Sequence, residues 1–243
     1  MADASSFTSG LTRREEIAEG TMAFHFAKPA GFEYRAGQSI DLTLLDPPET
    51  DAEDNTRAFT LASSPFDDDL MIATRMRDTA FKRVLRNAAP GMRVKMEGPF
   101  GSLTLHKNSA KPAVLVAGGI GITPFLSIVR QAEHDKAPHQ IYLFYSNRRP
   151  EDAAFLEMLL GSVKRNSNFH LIATMTGMEK SLREWNGENG LINGEMLTKH
   201  LSSLQGPIYY LAGPPAMVAA MRNVLTKAGA DEDDIRTEEF SGY

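Results

Sequence analysis

Arg57, Phe59 and Thr60 stand together in the run Arg57-Ala58-Phe59-Thr60-Leu61-Ala62-Ser63-Ser64-Pro65. They bring a guanidinium, an aromatic ring and a hydroxyl to one strand-like segment, which ends in a small-residue turn closed by proline. On an extended strand Arg57 and Phe59 share a face, and Thr60 points away or sits at the strand's end. Those groups suit a planar ligand that carries phosphates: the guanidinium pairs with phosphate, the ring stacks, and the hydroxyl bonds a ring nitrogen.

A second constellation is Val116-Ala117-Gly118-Gly119-Ile120-Gly121-Ile122-Thr123-Pro124. An apolar strand ends, glycines allow a close backbone approach, and Pro124 stands where a helix begins. A helix N-terminus offers N–H groups and partial positive charge to a pyrophosphate. Pro124 replaces the third glycine of G-x-G-x-x-G, so the common dinucleotide fingerprint does not apply as written. Tyr209-Tyr210-Leu211-Ala212-Gly213-Pro214-Pro215 repeats the arrangement at a later strand. Both turns are expected at the carboxyl edge of a wound sheet, where ligands bind near the switch in strand order. Arg148 and Arg149 also follow a strand, and a guanidinium there would suit a ribose 2′-phosphate, although a solvated loop pair reads nearly as well.

The elements that position these groups change character along the chain. Up to about His106, short strands are expected at Thr21–Phe26, Ser39–Leu44, Ala58–Ala62, Leu70–Met76 and Met92–Glu97, with one helix at Ala80–Ala88. That pattern suggests a small antiparallel barrel. Asp46 to Thr56 reads as an acidic surface loop, and Lys107 to Pro112 as a linker. Beyond it strands alternate with helices: strands at Ala113–Ala117, Gln140–Tyr145, Phe169–Met175, Ile208–Leu211 and Ile235–Glu239, helices at Pro124–Glu133, Asp152–Lys164, Glu195–Leu204 and Ala216–Ala228. Such alternation implies an α/β doubly wound parallel sheet. The expected domains are therefore a β-barrel over 1–108 and a nucleotide-binding sheet over 109–243.

Composition narrows the chemistry. The 243 residues are 42% hydrophobic and 23% charged, as in ordinary soluble proteins. No apolar run reaches the ~20 residues that span a bilayer, and Met1 to Ser6 shows no signal-peptide pattern, so a cytoplasmic location is the expectation. There are no cysteines, which excludes disulfides, thiolate zinc and cysteine-bound iron–sulfur clusters. The six histidines show no short ligand spacing, and no metal site is expected. Redox chemistry would then need a non-covalently bound organic cofactor. A net charge of −5 argues against a nucleic-acid binder. Cations nonetheless crowd between Arg75 and Lys95, either as a solvated surface or as a rim facing phosphate and an acidic partner.

Five blocks in order carry a resemblance: Arg57-x-Phe59-Thr60, Gly98-Pro99-Phe100-Gly101, Gly118-Gly119-x-Gly121-Ile122-Thr123-Pro124, Gly213-Pro214-Pro215 and Glu239-Phe240. Along nearly its whole length the chain resembles the ferredoxin–NADP(H) reductase superfamily. The resemblance implies FAD in the barrel and NADPH, or NADH, on the second domain, with hydride moving from the nicotinamide to flavin N5. It implies that Arg57 holds flavin phosphates, Phe59 packs on the flavin, Thr60 bonds near N5 and Arg75 borders the ring. Backbone amides of Thr79, Ala80, Phe81 and Lys82 would cradle the pyrophosphate. Gly118, Gly119, Gly121, Thr123 and Pro124, with Gly213 and Pro214, would take the nicotinamide nucleotide, and Arg148 and Arg149 its adenosine end. Glu239 would approach the reacting rings, Phe240 would shield the flavin, and Tyr243 would cover the adenine.

The chain departs from the family in Phe59 and Thr60, where tyrosine and often serine are usual, and in Ala212, where many relatives have cysteine. The implied acceptor is a separate ferredoxin or flavodoxin-type protein, acidic in character, since no cysteine-bearing domain is fused here. Two other readings stand beside it: reduction of a small acceptor such as a quinone, ferric chelate or free flavin, and a non-catalytic flavin-binding regulatory subunit. No nucleic acid and no membrane insertion are expected.

Overall fold

The computed structural model describes residues 5–52 and 54–240. Its first half is a six-stranded antiparallel sheet made of β1 (Ser5–Ala18), β2 (Thr21–Ala27), β3 (Ser39–Leu44), β4 (Thr56–Thr60), β5 (Asp69–Arg75) and β6 (Arg93–Phe100), in the order β4-β3-β6-β1-β2-β5. Just past β4, the Ala62 amide donates to Met71 of β5 at 2.8 Å, so the two edge strands meet and the sheet curls toward closure. Alternation drives this. In β3 Ile40, Leu42 and Leu44 are buried while their neighbours are partly exposed, and they join Phe24, Phe26, Leu70 and Ile72 in one core. The helix α1 (Ala80–Asn87) closes one end, with Phe81 and Leu85 buried in that core.

The second half is a parallel sheet in the order β10-β9-β8-β7-β11-β12. Its strands are β7 (Ala113–Gly118), β8 (Ile141–Asn147), β9 (Phe169–Met175), β10 (Glu188–Asn189), β11 (Ile208–Gly213) and β12 (Ile235–Glu239). The chain enters at β7, winds outward through β8 and β9, then crosses back to β11. The switch point therefore lies between β7 and β11, where both glycine turns emerge. All six residues of β7 and of β11 are buried, as expected for strands covered on both faces. Helices α2 (Thr123–His134) and α3 (Leu156–Arg165) cover one face, and α4 (Gly194–His200) and α5 (Pro215–Lys227) the other.

Four expectations need adjustment. The fourteen-residue β1 escaped the sequence reading because only Ser9 and Leu11 are buried in it, and its Arg13-Arg14-Glu15-Glu16 run looks like loop. The helix expected from Asp152 starts at Leu156, because Phe155 takes a left-handed conformation at φ 61°. The helix expected to reach Leu204 ends at His200, and the two-residue β10 is additional.

The two halves are locked by polar groups that water does not reach. The fully buried Ser64 Oγ donates to the Ser127 carbonyl at 3.0 Å, and Ser127 Oγ donates to the Ser63 carbonyl at 2.6 Å. Ser63 Oγ in turn meets Tyr34 Oη at 3.0 Å and accepts from the Met71 amide at 2.9 Å. Beside this clasp Arg130 of α2 grips Asp67 with both terminal nitrogens, at 2.5 and 2.9 Å. Small residues of the first half (Ala23, Ala62, Ala73) let the α2–α3 layer approach and share its core.

Ser127→Ala would leave a buried Ser63 carbonyl without its donor, a loss of about 1–3 kcal/mol. The urea midpoint should fall by that energy divided by the denaturant slope m, while a distant control such as Ser203→Ala stays unchanged. An unaltered midpoint would remove the clasp from the account.

Candidate functional site

Strand β4 brings Arg57, Phe59 and Thr60 to the open end of the curled sheet. Together with Arg75, Arg77, Thr79 and Lys82 they line a cavity of about 530 Å³, completed from the second half by Ile120, Thr123 and Phe240. Some of the sequence-derived residues of each half thus share one chamber of ligand size. Phe59 is partly buried, with its ring centre 5.8 Å from that of Phe81. Phe81 itself is core, so only its backbone could serve a ligand. The Arg57 guanidinium lies over the Phe81 ring at 5.2 Å, which fixes it near the mouth of α1.

At that mouth, Thr79 caps the helix by accepting from the Lys82 amide at 3.3 Å. The Ala80 amide donates to Asp51 Oδ2 at 3.1 Å, and Arg57 donates to Asp51 Oδ1 at 3.2 Å. Arg83 takes Glu49 on three hydrogen bonds, the shortest 2.6 Å, and also Asp78. The acidic segment expected to be free surface loop is therefore fastened along α1. The cation-rich region is likewise divided: Arg75, Arg77 and Lys82 face the cavity, whereas Arg83 and Lys95 are paired with carboxylates.

The glycine turns meet one another, and packing explains three of the glycines. A Cβ at Gly121 would stand 2.3 Å from the Ala212 carbonyl oxygen, and one at Gly118 would stand 2.6 Å from Met217 Sδ. Gly213 adopts φ +152° and abuts the Gly118 backbone. Their first duty is to let β7 and β11 end side by side. Pro124 is buried at the start of α2, while Thr123 reaches the cavity. Pro214 precedes α5 and packs against Gly118. Ala212 is fully buried between the turns.

The last strand supplies the residue that sequence reasoning missed. Thr60 Oγ1 donates to Glu238 Oε1 at 3.0 Å, across the domain boundary. Glu239 points the other way and is exposed. The signal was available: on a strand, Glu238 and Phe240 share a face and Glu239 does not. The Phe240 amide donates to the Gly213 carbonyl at 3.0 Å, which seats its ring over the chamber. Burial pushes the Glu238 carboxyl above the usual range, partly offset by the Thr60 hydroxyl. Tyr243 lies outside the described residues.

Arg148 and Arg149 are not in this chamber. With Arg75, Asp152, Thr176, Gly177, Glu179 and Lys180 they line a neighbouring cavity of about 370 Å³. Arg149 is already engaged, with Asp152 at 2.8 and 2.9 Å and Glu19 at 2.8 Å. Of the two, Arg148 is the more exposed. Arg75 borders both cavities and links them. Among the described residues, no helix is long and apolar enough to cross a membrane.

Residues 115–223 match the oxidoreductase NAD-binding domain family. Over 236 residues and 95% of its length, the chain is 25% identical to the reductase component of propane 2-monooxygenase from Rhodococcus jostii strain RHA1, covering 62% of that protein. It spans about 60% of the length of the first curated relatives it matches. Its fold superposes on an Amycolatopsis cytochrome P450 reductase with a TM-score of 0.83 at 21% identity, covering 99% of this chain and 73% of that one. A ferredoxin NADP+ reductase from Neisseria gonorrhoeae, solved with FAD and NADP bound, gives 0.80 at 19% identity over 96% and 98%. Both structural likenesses establish the two-domain fold.

Because the folded state raises the Glu238 pKa, the unfolded chain binds fewer protons there above about pH 4, and stability falls as pH rises through the folded value. Glu238→Gln keeps an acceptor for Thr60 and removes that loss. Its melting temperature should exceed that of the parent at pH 8, with the gap closing near pH 4. A less stable variant at pH 8 would mean that the ionised carboxylate is held by cations instead.

Proposed function

We propose that this chain, a member of the ferredoxin–NADP(H) reductase superfamily, carries reducing equivalents from NAD(P)H through a bound FAD to a separate acceptor. The observation that carries this reading is the meeting of Thr60 and Phe240 in one chamber lined from both halves, with Glu238 hydrogen-bonded to Thr60. A flavin fits the donor set: a cationic end at Arg57 and α1 for phosphate, the Phe59 ring and small Ala73 along the wall, and a hydroxyl at the inner end. Bound there, the flavin would accept hydride from the nicotinamide and pass electrons onward.

The protein's own contribution is placement. Thr60 and Glu238 hold a hydrogen-bonded hydroxyl and carboxyl at the junction, and burial moves that carboxyl's pKa above its usual range. Phe240 lines the chamber where it would cover a bound flavin, and its side chain would turn aside for the nicotinamide while its backbone keeps its bond to Gly213. The glycine turns leave the sheet edge open for the nucleotide's pyrophosphate. The reading of the arginine pair changes: Arg149 is spent on Asp152 and Glu19, which leaves Arg148 and Lys180 to meet a 2′-phosphate.

The acceptor is proposed to be an acidic ferredoxin or flavodoxin-type protein, drawn to Arg75, Arg77 and Lys82 at the chamber's rim. The curated relative from Rhodococcus is named as the reductase component of a multi-part oxygenase, which supports transfer to a separate protein. Turnover with a protein acceptor should then fall steeply with salt.

Anaerobic mixing of the flavin-loaded protein with NADPH or NADH should bleach the flavin absorbance. A yellow protein that neither nucleotide bleaches would overturn the enzyme reading. Phe240→Ala should alter kcat/KM for the nucleotides by about three- to tenfold, and unchanged kinetics with both would remove its role. Arg148→Ala should weaken NADPH relative to NADH by about tenfold, the scale of a charge-assisted hydrogen bond; Arg149→Ala should leave that ratio alone. The reverse pattern would return the assignment to Arg149.

A further inference from the structure

The segment joining β3 to β4 leaves at Asp46 and returns at Asp54, both with left-handed backbones (φ 46° and 70°). Between them Glu49 is bound by Arg83, and Asp51 reaches the mouth of α1. One Asp51 oxygen accepts from the Ala80 amide and the other from Arg57. These are an eight-residue helix's first amide and the guanidinium that stands beside it, the two groups best suited to a phosphate in this chamber. A carboxylate from the chain's own loop thus holds the place of a ligand anion.

We propose that Asp51 is a built-in competitor for the phosphate end of the flavin site, displaced when the cofactor's diphosphate arrives. This rests on the reading of the chamber as a flavin site. Without ligand, Asp51 places a carboxylate between the Arg57 guanidinium and the α1 mouth. With ligand, the single Ala80 N–H cannot serve both Asp51 and a phosphate oxygen, and two anions crowded at the helix mouth repel, so Asp51 withdraws. The Glu49–Arg83 pair tethers the chain on the N-terminal side of Asp51. FAD affinity is therefore lower than the cationic groups alone would give, and the segment moves only when phosphate is present.

The test uses flavin-free protein and its Asp51→Asn and Asp46→Asn variants. Asp46 is exposed on the same segment, so its variant carries the same charge change without the contacts. FAD binding is followed by fluorescence quenching, and flavin-free stability by melting temperature. Asp51→Asn should tighten FAD binding by about tenfold and lower the melting temperature of the flavin-free protein, while Asp46→Asn does neither. Inorganic pyrophosphate should compete with FAD more effectively in Asp51→Asn than in the parent. Weaker or unchanged FAD binding in Asp51→Asn would show that Asp51 stays in place as part of the holo site, overturning the proposal but not the flavin reading. Equal tightening in Asp46→Asn would reduce the effect to net charge and also overturn it. Failure of the parent and both variants to bind FAD would overturn the flavin reading and this proposal together.

Discussion

Everything in the site depends on how the curled sheet is held against α2, and that contact is a set of short hydrogen bonds between buried serines. Ser63, Ser64 and Ser127 are all fully buried, and each uses its hydroxyl or carbonyl on the other half. Buried polar groups are costly unless paired, so this interface tolerates one relative placement and penalises slippage. The bidentate Arg130–Asp67 pair adds an angular restraint at the same contact. The clasp begins three residues after Thr60 on one side and four residues after Thr123 on the other. It therefore sets the distance between β4 and the glycine turn directly, without intervening flexible chain.

Given that placement, the chemistry of the chamber follows from strand ends. β4 ends at Thr60, β7 at Gly118, β11 at Gly213, and β12 delivers Glu238 and Phe240 beside them. Each functional group sits at the terminus of a rigid element rather than on a long loop, which limits its wander. The glycines show how closely those termini are drawn together: no side chain fits between the β7 and β11 turns. Backbone packing alone thus demands glycine at these positions.

Much of this was legible in the sequence. Apolar alternation in β3, the apolar runs of β5 and β7 and the helix after Thr123 are local patterns, and they stand where the sequence pattern puts them. What escaped was whatever depends on a distant partner. β1 is a polar strand made necessary by β2 and β6 on either side, and its own residues carry little signal. Arg149 looked available because one of its two carboxylates, Glu19, lies 130 residues away. Asp51 looked like solvated loop for the same reason, since its partner amide belongs to a helix that begins at Ala80. Glu238 was a different failure: the period of two was in the sequence, and the wrong neighbour of Phe240 was taken.

The strand pairing also orders events in time. β1 sits between β2 and β6, and its register joins Ser5 to Gly98. A ribosome must therefore release nearly a hundred residues before the first strand finds its second neighbour. Contacts of such long separation are slow to form, because loop closure has to precede any compensating pairing. The Thr60–Glu238 bond spans 178 residues of sequence. The two halves can therefore acquire their cores before Glu238 reaches Thr60 and the junction between them closes.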